Sequence, residues 1–264
     1  MKIKKHFLII FLLIFFQYYS SSQAAVDFEW IVGEELTYSV KWSFLRLGTL
    51  RLQVLEQDTM ENQEVYHCRI YIDSNPSLPF VSIHDVYESY IDADSFYSHL
   101  FESYENKKEH VIYTRYDFDY DRMQVHIRVE IRRDGEVQVE LDSTGTIDNK
   151  IQDSLSLLYF ARAFSNKQLR KDITTFVYNK FKQAFINFSG EPLEIKTRGK
   201  KVRGYYLDGR LRFVGIAGIK EDFKGWFSTD GQKVPLKAYM KAFIGSVKIE
   251  LEDWKNWNGD RIFD

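Results

Sequence analysis

Alternation is the first pattern in the chain. Leu36, Tyr38, Val40 and Trp42 interleave with Thr37, Ser39 and Lys41, and Leu50, Leu52 and Val54 interleave with Arg51 and Gln53. A period of two predicts antiparallel strands with one buried and one wet face. Gly48 lies between the two runs and reads as their turn. Residues 124–142 form the clearest hairpin. Val125, Ile127, Val129 and Ile131 share one face, which Val137, Val139 and Leu141 must join. A two-residue Asp134-Gly135 turn would put the second set on the opposite face. A three-residue loop, Arg133-Asp134-Gly135, pairs Ile131 with Val137, Val129 with Val139 and Ile127 with Leu141, with Gly135 left-handed. The same register sets Arg132 against Glu136 and Arg128 against Glu140, and His126 against Asp142.

Residues 151–166 break the alternation. Leu155, Leu158 and Tyr159 form one helical stripe, and Leu157, Phe160, Ala161 and Phe164 form another. Asn149 or Asp153 can cap the start. A helix apolar on nearly every side is buried on nearly every side, so Arg162 in its middle needs a carboxylate partner. Strand signals resume after Lys171. Asn179-Lys180 reads as a turn, 196–203 as a basic loop, and Asp208-Gly209 and Asp230-Gly231 as turns. Residues 236–251 are a last strand or strand pair broken at Gly245. The expected fold is mainly β: a large curved antiparallel sheet or open barrel wrapping one buried helix at about 151–166. No linker or internal repeat divides residues 25–264, which read as a single β-rich domain.

Composition narrows the function classes. The 264 residues hold 36 Lys+Arg, 38 Asp+Glu, six His and one Cys. Residues 1–24 read as a secretory signal: Lys2, Lys4 and Lys5, ten apolar residues at 7–16, then Ser22-Gln23-Ala24 before cleavage. Ten helical residues reach about 15 Å, half of a hydrocarbon core. The mature chain then carries 33 basic against 38 acidic residues, a net −5. That argues against a nucleic-acid partner, and one cysteine excludes an intramolecular disulfide framework. No later run is long enough for a transmembrane segment. The expected location is periplasmic or extracellular.

Several short motifs in order are more specific. They are Gly33-Glu34 with Leu36, Tyr38 and Gly48; Asp85 with Tyr90-Ile91-Asp92; Asp153-Ser154-Leu155 with Leu158-Tyr159 and Arg162; and Trp226-Phe227-Ser228-Thr229-Asp230 with Val234-Pro235, Ile244-Gly245-Ser246-Val247 and Leu251. In these the chain resembles the bacterial exported family catalogued as domain of unknown function thirty-one oh eight. Gly231 stands where that family usually has a second acid. The resemblance implies a mainly antiparallel β protein of the bacterial envelope and implies no activity.

The chemistry-bearing residues are scattered. Asp117, Asp119 and Asp121 share a strand face and start like a calcium loop, but Arg122 and Arg128 stand where that loop needs Gly and Glu. His67, His84, His99, His110 and His126 lie in strand-like runs without a zinc-binding spacing. Cys68 reads as a small buried residue. Nucleophile-elbow, P-loop and dinucleotide motifs are absent. No catalytic, cofactor-binding or metal-binding residue is assigned, and no cofactor is expected. The aromatic share of 16% is the positive signal. It suits sheet packing, and in a curved sheet it also suits an apolar or glycan ligand. Three readings follow: non-enzymatic binding of a hydrophobic or glycan ligand in a β cavity around the helix; an interaction or assembly module for other envelope proteins, using exposed edge strands; and a hydrolase of envelope polymers, which requires a cleft gathering two carboxylates, or a His with a carboxylate, with shifted pKa values. Expected partners are accordingly a lipid, a glycan or an envelope protein.

Overall fold

The computed structural model describes residues 26–78, 82–212, 221–241 and 245–263; the expected signal at 1–24 lies outside them. Fourteen strands form one antiparallel sheet. In chain order they are β1 Glu35–Trp42, β2 Leu45–Met60, β3 Gln63–Ser74, β4 His84–Asp92, β5 Ser98–Asn106, β6 Val111–Asp119, β7 Gln124–Arg133 and β8 Glu136–Thr146, then β9 Gln168–Val177, β10 Lys180–Thr197, β11 Lys200–Leu211, β12 Glu221–Phe227, β13 Pro235–Lys241 and β14 Ser246–Lys255. Helix α1, Ser156–Phe164, separates β8 from β9, and a short α2, Asp260–Phe263, ends the described chain. Every chain neighbour within each arm pairs in the sheet; β1 pairs with β14, and β8 and β9 are the two edges. The expected open barrel around one helix is therefore what forms. Neither helix is long and apolar enough to cross a membrane.

The sheet curls around an inner face that is largely apolar. Leu36 and Tyr38 on β1, Leu52 and Val54 on β2, Tyr116 and Phe118 on β6, and Ile186 and Phe188 on β10 are all buried. The β9–β10 turn comes back against β6. Tyr116 Oη donates to Asn179 Oδ1 at 2.8 Å and accepts from the Asn179 amide at 3.1 Å, and the Tyr116 and Phe176 rings meet edge-on at 4.9 Å. Residues 151–152 bridge β9 to β5. The Phe176 amide donates to Gln152 O, and the Ser98 amide donates to Ile151 O.

Helix α1 occupies the concave side, with seven of its nine residues buried. It starts later than the pattern predicts because Asp153 caps it from outside. Asp153 Oδ1 accepts from the amides of Leu155 and Ser156, while Ser156 Oγ accepts from the Asp153 amide, a reciprocal cap. Tyr159 stacks on Trp30 at 5.0 Å, and Trp30 on Tyr66 at 4.4 Å. Leu158, placed with Tyr159 on one stripe, is only partly buried. Arg162 has the expected partner. Its guanidinium makes two 2.8 Å bonds to Glu34 and a 2.9 Å bond to Gln232 O. Gln232 Nε2 in turn donates to Glu34 Oε2 at 3.0 Å. Arg162 is 1% exposed and Glu34 2%, so this is a buried, geometrically paired charge couple.

Several local expectations are corrected. The β7–β8 turn has two residues, with Asp134 at φ 51° and Gly135 at φ 84°, the conformation of a type I′ hairpin. A bulge at Glu140 restores the phase, because Glu130 faces Val139 while Val129 faces Leu141. Leu141 thus reaches the inner face, while Val137 and Val139 stay outside at 56% and 46% exposure. The charge pairs become Arg128 with Asp142 and Arg132 with Glu130. Asp142 stands across from Arg128 in this register, yet His126 still reaches it at 2.7 Å. Gly48 is no turn; it lies within β2, where a Cβ would sit 2.1 Å from Asp73 O. Gly209 likewise lies within β11, where a Cβ would meet Phe185 O at 2.2 Å and the Phe223 ring at 2.5 Å. Both glycines serve close approach rather than chain reversal. The basic loop is the β10–β11 hairpin, turning at Arg198-Gly199, with Arg198 packed 4.8 Å over the Trp254 ring.

Candidate binding cleft

The residues that carry the motif pattern are occupied by the fold. Glu34 and Arg162 tie β1 to the helix. Asp153 caps the helix and accepts from Ser89 Oγ at 2.5 Å; burial pushes its carboxyl up. Asp85 accepts from the Asn106 amide at 3.0 Å. Asp230 accepts from Ser228 Oγ, the Lys233 amide and Trp257 Nε1. Beside it, a Cβ at Gly231 would lie 3.0 Å from Glu29 Oε2, a poor place for a second acid. Cys68 is fully buried, and burial pushes its thiol up.

One cleft gathers chemistry that the sequence keeps apart. It has a volume of about 280 Å³ and lies where the β2–β3 turn meets β5, β6, β7 and β8. Pairing across β6, β7 and β8 lines up Asp117, His126 and Thr144 in one row. Gln124 and Asp119 stand beside them, and Phe118 adds an aromatic surface. His99 enters from β5 at a bulge, where Tyr90 faces Leu100 but Ile91 faces Ser98. A bulge re-aims the side chain it carries.

The charges of the cleft are mostly satisfied. Asp92 Oδ1 accepts from the Asp94 and Ser95 amides and from Ser95 Oγ, and Oδ2 lies 3.3 Å from His99 Nε2. Burial pushes Asp92 up, but the bonds from His99 and Ser95 outweigh it and hold the carboxyl well below the usual range. Asp119 is lowered by the amide and guanidinium of Arg122, and Asp117 accepts from Arg115. His126 bridges Asp142 at 2.7 Å and Asp117 at 3.8 Å. His99 thus turns Nε2 toward Asp92 and Nδ1 to the other side of the ring. Nδ1 is buried without a partner, and the residue is 6% exposed. Gln124 and Thr144 bring an amide and a hydroxyl group to the same cleft.

Of the three carboxylates whose spacing starts like a calcium loop, Asp117 and Asp119 line the cleft and Asp121 does not. Among the described residues no three His, Cys, Asp or Glu side chains are arranged to hold a metal. His67 is buried between Glu88 at 2.6 Å and Glu56 at 3.4 Å, and His84 sits by Asp73. The aromatic residues divide. Inner ones fill the core, while outer ones carry cations, as Arg51 does over Tyr71 and Arg132 over Tyr113. The meeting of His99 with His126 had no sequence signal, because it depends on an unannounced bulge and on β6 lying between their strands.

This geometry belongs to a known family. The model of the family described as Protein of unknown function (DUF3108) matches residues 37–252, and the chain belongs to that family. No curated protein matches it. The crystal structure of a β-barrel-like protein of the domain of unknown function DUF1849 from Brucella abortus is similar over 86% of this chain and 99% of that one, at 11% identity and a TM-score of 0.53. A protein with a YmcC-like fold from Bacteroides fragilis aligns over 88% of this chain and 100% of its own, at 11% identity and a TM-score of 0.38. The Brucella likeness is one of fold.

Proposed function

We propose that the protein is an exported, non-enzymatic envelope protein that binds a glycan in the cleft between the β2–β3 turn and β5–β8. The observation that carries this reading is a cleft whose lining joins His99, which has a buried, unpartnered Nδ1, to the polar groups of Gln124, His126 and Thr144. The helix side of the barrel supports it indirectly, since Tyr159, Phe160 and Leu155 are already buried against protein, which favours the glycan over the hydrophobic ligand. Catalysis is less well supported. Asp92 and Asp119 are both shifted down, away from the range where a carboxyl carries a proton near neutral pH. Calorimetric titration of the processed chain with chitin- and malto-oligosaccharides tests the reading, beside His99→Phe, which keeps an aromatic ring but removes both ring nitrogens. Binding that falls at least about tenfold in the variant supports it. Absent binding, or binding indifferent to His99, overturns it.

A second reading, an assembly module, has one specific observation. The eleven-residue β8 is a sheet edge exposed along most of its length, and such an edge can accept a partner strand. Co-purification of a stoichiometric polypeptide, lost when proline replaces Ser143, would favour it.

A further inference from the structure

Alternate turns of the sheet fall at alternate ends of the barrel, so the β1–β2, β7–β8 and β9–β10 turns share one end, opposite the β2–β3 turn beside the cleft. Among the described residues nine large hydrophobic side chains are exposed, and six are at that shared end: Trp42, Phe44, Val137, Val139, Tyr178 and Phe181. Phe44, on the tip of the β1–β2 hairpin, is 96% exposed. The two turns bearing aromatic residues also carry cations. Lys41 and Arg46 flank Trp42 and Phe44, Lys180 and Lys182 flank Phe181, and neither stretch, 41–46 or 176–182, contains an acid. Glu252 reaches Arg46 at 2.8 Å and Lys41 at 4.0 Å from β14; Lys41 stays one-third exposed. Glu252 holds Arg46 through both carboxylate oxygens, and Glu105, Asp85 and Lys107 all act on Tyr178, so the cationic character of this end rests on Lys180, Lys182 and the part-exposed Lys41.

Exposed aromatic tips ringed by Lys and Arg have the chemistry of an interfacial anchor. The rings enter the boundary of the acyl chains, and the cations meet phosphate oxygens. We propose that this end of the barrel docks on an anionic phospholipid bilayer through Phe44, Trp42 and Phe181, with Lys41, Arg46, Lys180 and Lys182 at the headgroups. The cleft then faces away from the membrane. The inference stands whether or not the cleft binds a glycan.

Flotation with vesicles tests it, using the processed chain so that residues 7–16 contribute nothing. Vesicles of phosphatidylcholine with and without 30%, roughly, of phosphatidylglycerol are compared at low and high salt. The protein is expected to float with the anionic vesicles and to be released by salt. Phe44→Ser with Phe181→Ser should weaken partitioning at least about tenfold, while Met123→Ser at the opposite end leaves it unchanged. Phe181 also meets the buried Phe176 ring edge-on at 5.0 Å, so Phe44→Ser alone, at a residue 96% exposed, is run beside the double variant; it should keep the wild-type melting temperature and still weaken partitioning. No flotation, equal flotation on neutral vesicles, or flotation indifferent to the double variant overturns the proposal. So does capture of a polypeptide through Phe44 with vesicles untouched.

Discussion

Replacing Arg162 by Leu should cost about 3–5 kcal/mol, and replacing Glu34 by Leu about the same. The reason is burial. Either change leaves the remaining charge in a site 1–2% exposed, with Gln232 as its remaining side-chain or carbonyl partner in the network. A stranded charge in such a place loses more than its lost bonds. The double variant removes both charges and leaves two apolar side chains of similar bulk between β1 and α1. It should lie within about 2 kcal/mol of the wild type, because a buried pair offsets little more than its own desolvation. The wild-type pair is itself imperfect, with Arg162 Nε unpartnered. Urea unfolding followed by tryptophan fluorescence, run as a double-mutant cycle, measures this. The predicted coupling is at least about 3 kcal/mol. Additive single costs, summing to about 6–10 kcal/mol in the double variant, would refute the reasoning and show that the site needs the shapes of these residues rather than their mutual neutralisation.

Tyr159→Ala should destabilise by about 3–5 kcal/mol, and Leu158→Ala by clearly less, since Tyr159 is wholly buried and Leu158 is not; equal midpoints in denaturant would mean that the helix is not central. Gly135→Val should cost about 1–2 kcal/mol through backbone strain alone, because φ is 84° and an added Cβ meets nothing within 4 Å; unchanged melting would contradict the left-handed turn. Burial pushes Glu250 up, but bonds from Lys248 and Lys237 bring it to about 2 from an ordinary 4.5. A lowered folded-state pKa gives stability that is full above 4.5 and lost as pH falls toward 2, so Glu250→Gln should flatten the acid limb of a melting-temperature profile, and a limb of unchanged steepness would contradict the assignment.

The strands were legible because side chains alternate faces with a fixed period, whatever the strand pairs with. The helix was legible because apolar residues at 155, 157, 159, 160 and 161 leave it no wet side, and the same fact demanded a partner for Arg162. The partner's identity was not legible: Glu34 lies 128 residues away, and only the closing of β1 on β14 brings it under the helix. Pattern reasoning failed at backbone irregularities. It held the β7–β8 apolar residues to one face and lengthened the turn to achieve that, where the chain instead bulges at Glu140. It read Gly48 and Gly209 as turns, because a glycine needed for contact with a neighbouring backbone or ring looks the same in sequence as one needed for a reversal. The cleft fell to the same cause, since a bulge at β5 aims His99.

The order of strands in the sheet has a consequence for how the chain is assembled. Read from one edge, it runs β9 to β14 and then β1 to β8, which is the chain order rotated about its own ends. The molecule is thus a circular permutation of a plain meander. Linking Lys255 to Glu35, which already face each other, and opening the sheet near α1 would give an order in which every strand pairs with the one just made. As it stands, β1 is made thirteen strands before β14 and must keep one edge unpaired until β14 arrives. That waiting edge is the stage at which the growing chain is most open to mispairing with another copy of itself.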